Sequence, residues 1–400
     1  MNNNILKSDL QDFINKNYKG DILSVLFKKP IFEGISNQEL AQQLEAKEKC
    51  RTKLPTWFRT SNIYYPKKLN IEQTSSEITA RYKAEIISGK TLVDLTGGLG
   101  VDCYFFSQKI AQVFYCEKDL ELSKIARHNF EMLGAKNIAI FSGDGLDFLK
   151  NQKKSFDWIY IDPSRRHGAK GKVFLLSDST PNVVAHLEAL FAKSDNLLIK
   201  TSPLLDLSTT LDALKFAKEV HIVSVLNEVR ELLWVLQKGF EGKPKIRTIN
   251  YAKHGPENFV FEWESEKSAE AVFSEPMTYL YEPNAAIMKS GAFKTIGNRF
   301  GLYKLDPNTH LYTSKQQVGF PGRVFLVKSI FPYNRKSLKQ WEGAKANITT
   351  RNFHETVATI RKKYRIKEGG DQYLFFTRTA NRFLVLSCIK VSKTPKIDSN

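Results

Sequence analysis

Four acidic side chains recur at the ends of apolar runs, and their spacing sets the chemistry this chain can do. Asp94 lies in the short run 92–95 and opens Asp94-Leu-Thr-Gly-Gly-Leu-Gly100. Glu117 follows 23 residues later, after Val113-Phe-Tyr-Cys116. Asp144 stands in Ser142-Gly-Asp-Gly145, and Asp162 begins Asp162-Pro-Ser-Arg-Arg166 after Asp157-Trp-Ile-Tyr-Ile161. Glycines allow close backbone approach to a ligand, and the start of a helix at 101–110 offers unpaired N–H groups to a negative group. In open α/β sheets ligands sit beyond the carboxyl ends of strands, where an acid on the second strand can take two ribose hydroxyls. The pattern therefore describes a nucleoside-binding crevice.

The dinucleotide fingerprint G-x-G-x-x-G is met at Gly98 and Gly100, but its third position is Cys103. No G-x-x-x-x-G-K-[ST] phosphate loop occurs. Asp94, ahead of the glycines, suits a cationic ligand such as the ammonium group of a sulfonium-bearing amino acid. Taken in order, residues 94–100, Glu117, Gly143-Asp-Gly145 and Asp162-Pro163 resemble the class I S-adenosylmethionine-dependent methyltransferases. The resemblance implies that Asp94, Thr96, Gly97, Gly98 and Gly100 hold the amino-acid end of the cofactor. Glu117 would take the ribose and Asp144 with Gly145 the adenine, with Asp162 also lining the cofactor site and no metal involved. Asp162 and the Pro163 carbonyl would form the catalytic corner. Ser164 and Arg165 replace the Pro-aromatic pair usual in amino methyltransferases, which leaves a ring nitrogen, a carbon or a hydroxyl open as the acceptor. Arg165 or Arg166 could stack on a base or hold phosphate, and Lys200, at the end of a later strand, could meet a substrate phosphate. The basic loop 167–171 reads as a lid.

Alternating strands and helices must position these residues. Strands are expected at 91–95, 112–117, 137–141, 157–161, 195–200, 219–226 and 231–237, with helices at 101–110, 119–133, 179–192 and 208–217. The last two strands are separated by only Asn227-Glu-Val-Arg230, too short for a helical crossover, so they must pair antiparallel. The fold class is α/β, a seven-stranded doubly wound methyltransferase sheet. A helical N-terminal region is expected over 1–70, with a capping box at Ser36-Asn-Gln-Glu39 and an exposed Tyr64-Tyr65 in a looser connection. The catalytic domain spans 71–275. Two strand-like stretches close it at 245–251 and 258–263. A small ferredoxin-like element covers 276–322, an α+β module 323–392 and a tail 393–400.

Charge is uneven. Residues 1–275 carry 38 Lys+Arg against 35 Asp+Glu, whereas 276–400 carry 22 against 7. That is the footprint of a polyanion binder. Basic residues 361–367 next to the aromatic run Tyr373-Leu-Phe-Phe376 suit phosphate contact and base stacking, although Phe375 and Phe376 fit a core better. This order of domains resembles a bacterial methyltransferase group with a C-terminal THUMP-like domain, which implies structured RNA (rRNA or tRNA) as partner and a base nitrogen as acceptor. The rivals are a DNA or protein methyltransferase and a non-catalytic RNA-binding protein. Four scattered cysteines without a C-x-x-C pair indicate neither zinc nor disulfides. No segment approaches about 18 consecutive apolar residues, so a cytoplasmic protein without membrane partners is expected.

Overall fold

The computed structural model describes residues 1–165, 175–380 and 382–391. The contacts expected of Arg166, the lid at 167–171 and the tail lie outside the described residues. Nine strands share one sheet: β1 (Thr91–Asp94), β2 (Gln112–Glu117), β3 (Ile138–Ser142), β4 (Trp158–Ile161), β5 (Asn196–Thr201), β6 (Ala217–Val225), β7 (Glu228–Gln237), β8 (Lys245–Ala252) and β9 (Gly255–Glu262). Their order is β9-β8-β6-β7-β5-β4-β1-β2-β3. All seven expected strands are present. Two more extend the sheet, because the outer edge of β6 would otherwise present unpaired N–H and C=O groups. β8 takes that edge in parallel, Ile246 opposite Val220, and β9 returns antiparallel with Phe261 opposite Ile246. The sequence marks both stretches as strand-like but gives them no partner.

β1 pairs in parallel with β2 on one side and β4 on the other, so the direction of winding reverses there. This switch point is where the acids converge. All four residues of β4 are buried, as expected of a parallel strand covered on both faces. β6 and β7 meet at Leu226-Asn227, both with positive φ (52° and 66°), a two-residue hairpin turn that imposes antiparallel pairing. The hairpin is tighter than the four-residue connection read from sequence.

Contacts divide the chain into two compact units, Met1–Ala217 with Trp234–Phe240, and Lys218–Leu233 with the described residues from Glu241 onward. In the first unit Ser36 caps the Asn37–Lys53 helix: its hydroxyl accepts the Glu39 N–H and Glu39 accepts the Ser36 N–H in return. Tyr64 and Tyr65 are buried rather than exposed. Gln43 exchanges two hydrogen bonds with the Tyr65 backbone and Asn129 does the same for Tyr64, so this polar-looking connection is sealed by side-chain amides.

The second unit carries another sheet, β10 (Tyr279–Pro283), β11 (Tyr303–Asp306), β12 (Thr309–Ser314), β13 (Gly322–Pro332), β14 (Asn347–Thr350), β15 (Gln372–Thr379) and β16 (Arg382–Lys390), in the order β11-β12-β10-β13-β16-β15-β14. The ferredoxin-like element and the module after it thus pair through β10 and β13. Phe375 and Phe376 point to opposite faces and fill two separate cores. Two short helices follow β10, Ala285–Ser290 and Thr295–Phe300, parted by Gly291 at φ 75°. Glu282 on β10 is 3% exposed and binds both Arg323 (2.6 Å) and Arg351 (2.7 Å). Replacing it with Ala leaves two guanidinium groups without their anion. Because those groups keep about a third of their surface in water, we expect a loss of about 2–3 kcal/mol, below the usual cost of breaking a buried pair, read from urea unfolding of the full chain.

Candidate active site

Asp94 ends β1 fully shielded from water. Its Oδ1 accepts the Thr96 N–H (2.8 Å) and hydroxyl (3.2 Å), and its Oδ2 accepts the Cys103 thiol (3.2 Å). Burial pushes its pKa up to about 7, against the pull of the Thr96 and Cys103 hydrogen bonds and with the charges of Asp102 and Asp162 adding to the rise. An ammonium ion arriving here would restore the carboxylate. Gly97 has its backbone against the Tyr115 ring, where a Cβ would come within 2.2 Å of a ring carbon, and Gly100 adopts φ 81° with Phe130 in the same position. A Cβ on Gly98, by contrast, would meet nothing nearer than the Thr96 carbonyl at 3.8 Å. The loop is clamped from behind and open in front, a cradle that fits a ligand. Glu117, at the end of β2, accepts the Gly98 N–H (2.8 Å) through Oε2 and the Asp119 N–H (2.8 Å) through Oε1. Each carboxylate oxygen can accept more than one hydrogen bond, so two adjacent hydroxyls can still be held.

Asp144 ends β3 exposed, and its Oδ1 caps the Gly145–Asn151 helix through the Leu146 N–H (2.8 Å). That short helix is absent from the sequence reading, since Asp147, Lys150 and Asn151 mask its apolar face; the cap residue followed by Leu146 and Leu149 is the available signal. Gly145 presses on the glycine loop, a Cβ there falling 2.4 Å from the Leu95 carbonyl oxygen.

The β4 end meets the β1 end through Thr96, whose hydroxyl accepts the Asp162 N–H (2.7 Å). Lys200, on β5 next to Asp162, forms an ion pair with Asp162 Oδ2. Ser164 is exposed and pairs as a two-residue ribbon, Ser164–Arg165 against Ser179–Thr180. Beyond Pro163 lies a cavity of about 140 Å³ walled by Leu176, Ser179, Thr201, Ser202, Leu204 and Leu205.

Beneath these groups is a polar network the sequence reading missed. Asp102 accepts Ser75 (2.8 Å) and Tyr160 (2.8 Å) and pairs with Lys83 (3.2 Å), which is 0% exposed and also donates to Ser75 (3.1 Å). Burial opposes the Asp102 charge, but Lys83, Lys200 and the two hydroxyls hold its carboxyl below the ordinary value. Ser76, not Ser75, caps the Glu77–Ile86 helix, which frees Ser75 for this role. Lys83→Met strands a buried carboxylate and is expected to cost about 3–5 kcal/mol, with much of the loss recovered in Lys83→Met/Asp102→Leu; thermal unfolding of both variants checks this.

Residues 279–321 match a ferredoxin-like domain family and 322–390 a THUMP domain-like family. Across 97% of this chain and 98% of the other, the fold superposes with TM-score 0.88 and 32% identity on the crystal structure of a candidate methyltransferase from Porphyromonas gingivalis W83. An uncharacterised S-adenosylmethionine-dependent methyltransferase of Mycobacterium tuberculosis is 22% identical over 313 residues, 77% of this chain and 83% of that protein. An uncharacterised RNA methyltransferase of Mycoplasma mobile is 24% identical over 155 residues, 38% of this chain and 42% of that protein. With the glycine cradle, the strand-end acids and this shared architecture in hand, the chain belongs to the S-adenosylmethionine-dependent methyltransferases that carry a C-terminal THUMP-like domain.

Proposed function

We propose that this methyltransferase acts on structured RNA, ribosomal or transfer, at a nucleobase nitrogen. The observation that carries the reading is a groove of about 610 Å³ in the second unit, lined by Arg335, Lys336, Lys339 and Lys363 with Glu342 as its acid. Glu342 in turn pairs with Arg365 (3.5 Å). Such a cation-lined groove matches a phosphate backbone, and the surplus of 22 basic over 7 acidic residues across 276–400 extends the field beyond it. The groove takes Lys363 and Tyr364 from the basic stretch 361–367 and adds Arg335, Lys336 and Lys339 from a second segment. Arg361 caps local carbonyls of Ile366 and Ala346, and Lys363 binds Glu355 (2.8 Å) and Tyr333 (2.9 Å) at the groove wall. The likeness to the Mycoplasma mobile protein, an uncharacterised RNA methyltransferase, supports the same substrate class.

The bound cofactor supplies an electrophilic methyl group on a sulfonium. The chain's own residues do the placing. Asp94 provides the anion for the ammonium group, Glu117 takes the ribose hydroxyls, and Asp144 lies where the adenine would be read. Asp162 and Pro163 orient the acceptor nitrogen, and orientation of this kind can supply several kcal/mol of the barrier, up to about 7–11.

Binding of the cofactor should follow the Asp94 carboxylate. Its pKa of about 7 in the folded chain lies above the ~3.9 of an unfolded aspartate, so the contribution of Asp94 to folding stability is full below pH ~4 and is lost as pH rises towards 7. Cofactor affinity should do the reverse, rising by up to about tenfold per pH unit until the carboxylate is ionised. Asp94→Asn should bind weakly with a flat profile, as read by calorimetric titration from pH 5 to 9. For the groove, replacing Arg335, Lys336 and Lys339 together by Ala should lower the slope of log affinity against log salt for total RNA by about 2–3 and leave cofactor affinity unchanged. Unaltered RNA affinity would remove the assignment.

A further inference from the structure

The Asp162–Lys200 pair bears on which nitrogen is methylated, a question that rests on the reading above. Asp162 Oδ2 is already taken by the Lys200 ammonium, and the lysine side chain is only 12% exposed against 34% for the aspartate. Lys200 also acts through space on Asp102, so its charge is fixed between two carboxylates at the carboxyl ends of β4 and β5. The cavity begins beside this pair, at Pro163 and Thr201. Its wall is part apolar (Leu176, Leu204, Leu205) and part hydroxyl, which suits the two faces and polar edge of a planar ring.

An exocyclic amine attacks as a neutral group and gathers positive charge as the new bond forms. An acceptor oxygen can hold its hydrogens, but a neighbouring ammonium raises the energy of that developing cation. A ring N–H flanked by a carbonyl, as in guanine N1 or uracil N3, behaves oppositely. It reacts as it loses its proton, and the negative charge spreads onto the adjacent oxygen. An ammonium next to that oxygen stabilises the reacting state, as preorganised donors do wherever charge develops.

We infer that the acceptor is a nucleobase lactam nitrogen and that Lys200 binds its carbonyl oxygen. Asp162 accepts the ring N–H proton, and Lys200 exchanges the aspartate for the lactam oxygen. The nitrogen pair forms the N–CH3 bond while the S–CH3 bond breaks, its electron pair remaining on sulfur as a neutral thioether. Asp162 then releases the proton to water.

The test uses the full chain, methyl-labelled S-adenosylmethionine and total RNA from a strain lacking the gene, followed by digestion to nucleosides and mass spectrometry. Label in a nucleoside methylated on a lactam nitrogen is expected. Label on an exocyclic amine or a ribose oxygen overturns the lactam assignment and leaves the RNA reading standing, whereas no label in RNA overturns both. Two variants separate charge from structure. Lys200→Met should lower the single-turnover rate at saturating RNA by about 100–1,000-fold, Lys200→Arg should stay within about tenfold, and affinity for S-adenosylhomocysteine should move less than about threefold in either. Equal losses in the two variants, or a parallel loss of S-adenosylhomocysteine affinity, overturn the role of Lys200.

Discussion

Three carboxylates crowded at one edge of a sheet, Asp94, Asp102 and Asp162, must be kept from repelling one another, and this constraint shapes the first unit. The solution is unequal. Asp102 receives a buried lysine and two hydroxyls and stays charged; Asp162 receives Lys200; Asp94 receives only a backbone N–H, a hydroxyl and a thiol. Parallel pairing of β1 with β4 brings all of these to one level, and Thr96 ties the two strand ends with a single side-chain oxygen. The carboxylate the fold leaves least satisfied is Asp94.

The second unit treats its charges differently. Two of its acids are engaged away from the surface, Glu282 by two arginines and Glu355 by Lys363 and Tyr333, while most of the groove's cations face outward. Few acids remain to neutralise the surface of residues 276–400. A module built this way repels cationic surfaces and attracts polyanions over a Debye length of about 8–10 Å at ordinary salt.

Most of the first unit was legible because its signals are local. An apolar run, a turn and an acid at the end of the run locate Asp94, Glu117, Asp144 and Asp162 at or just beyond strand ends without tertiary information, and hairpin length alone forces β6 and β7 antiparallel. What stayed hidden depends on partners far apart in the chain. Lys83 reads as a polar position on an amphipathic helix and gains its burial only from Asp102 and Ser75. The pairing of Lys200 with Asp162 shows only once β4 and β5 are set side by side. The basic run 361–367 shows only part of the groove for the same reason: Arg361 binds backbone carbonyls, Lys363 and Tyr364 line the groove, and Arg335, Lys336 and Lys339 join them from a distant stretch. The two added strands were recognisable as strands, but nothing short of the sheet could say which edge they cover.

Cys103 gives the cradle an unusual property. Burial and the neighbouring Asp94 push its thiol well above the ordinary range, so it stays protonated as an S–H donor, and sulfur is a weak one. A hydroxyl at that place would solvate the carboxylate better and ease its ionisation with nothing bound. The sulfur gives less, so the Asp94 carboxyl holds its proton more readily than it would beside a hydroxyl.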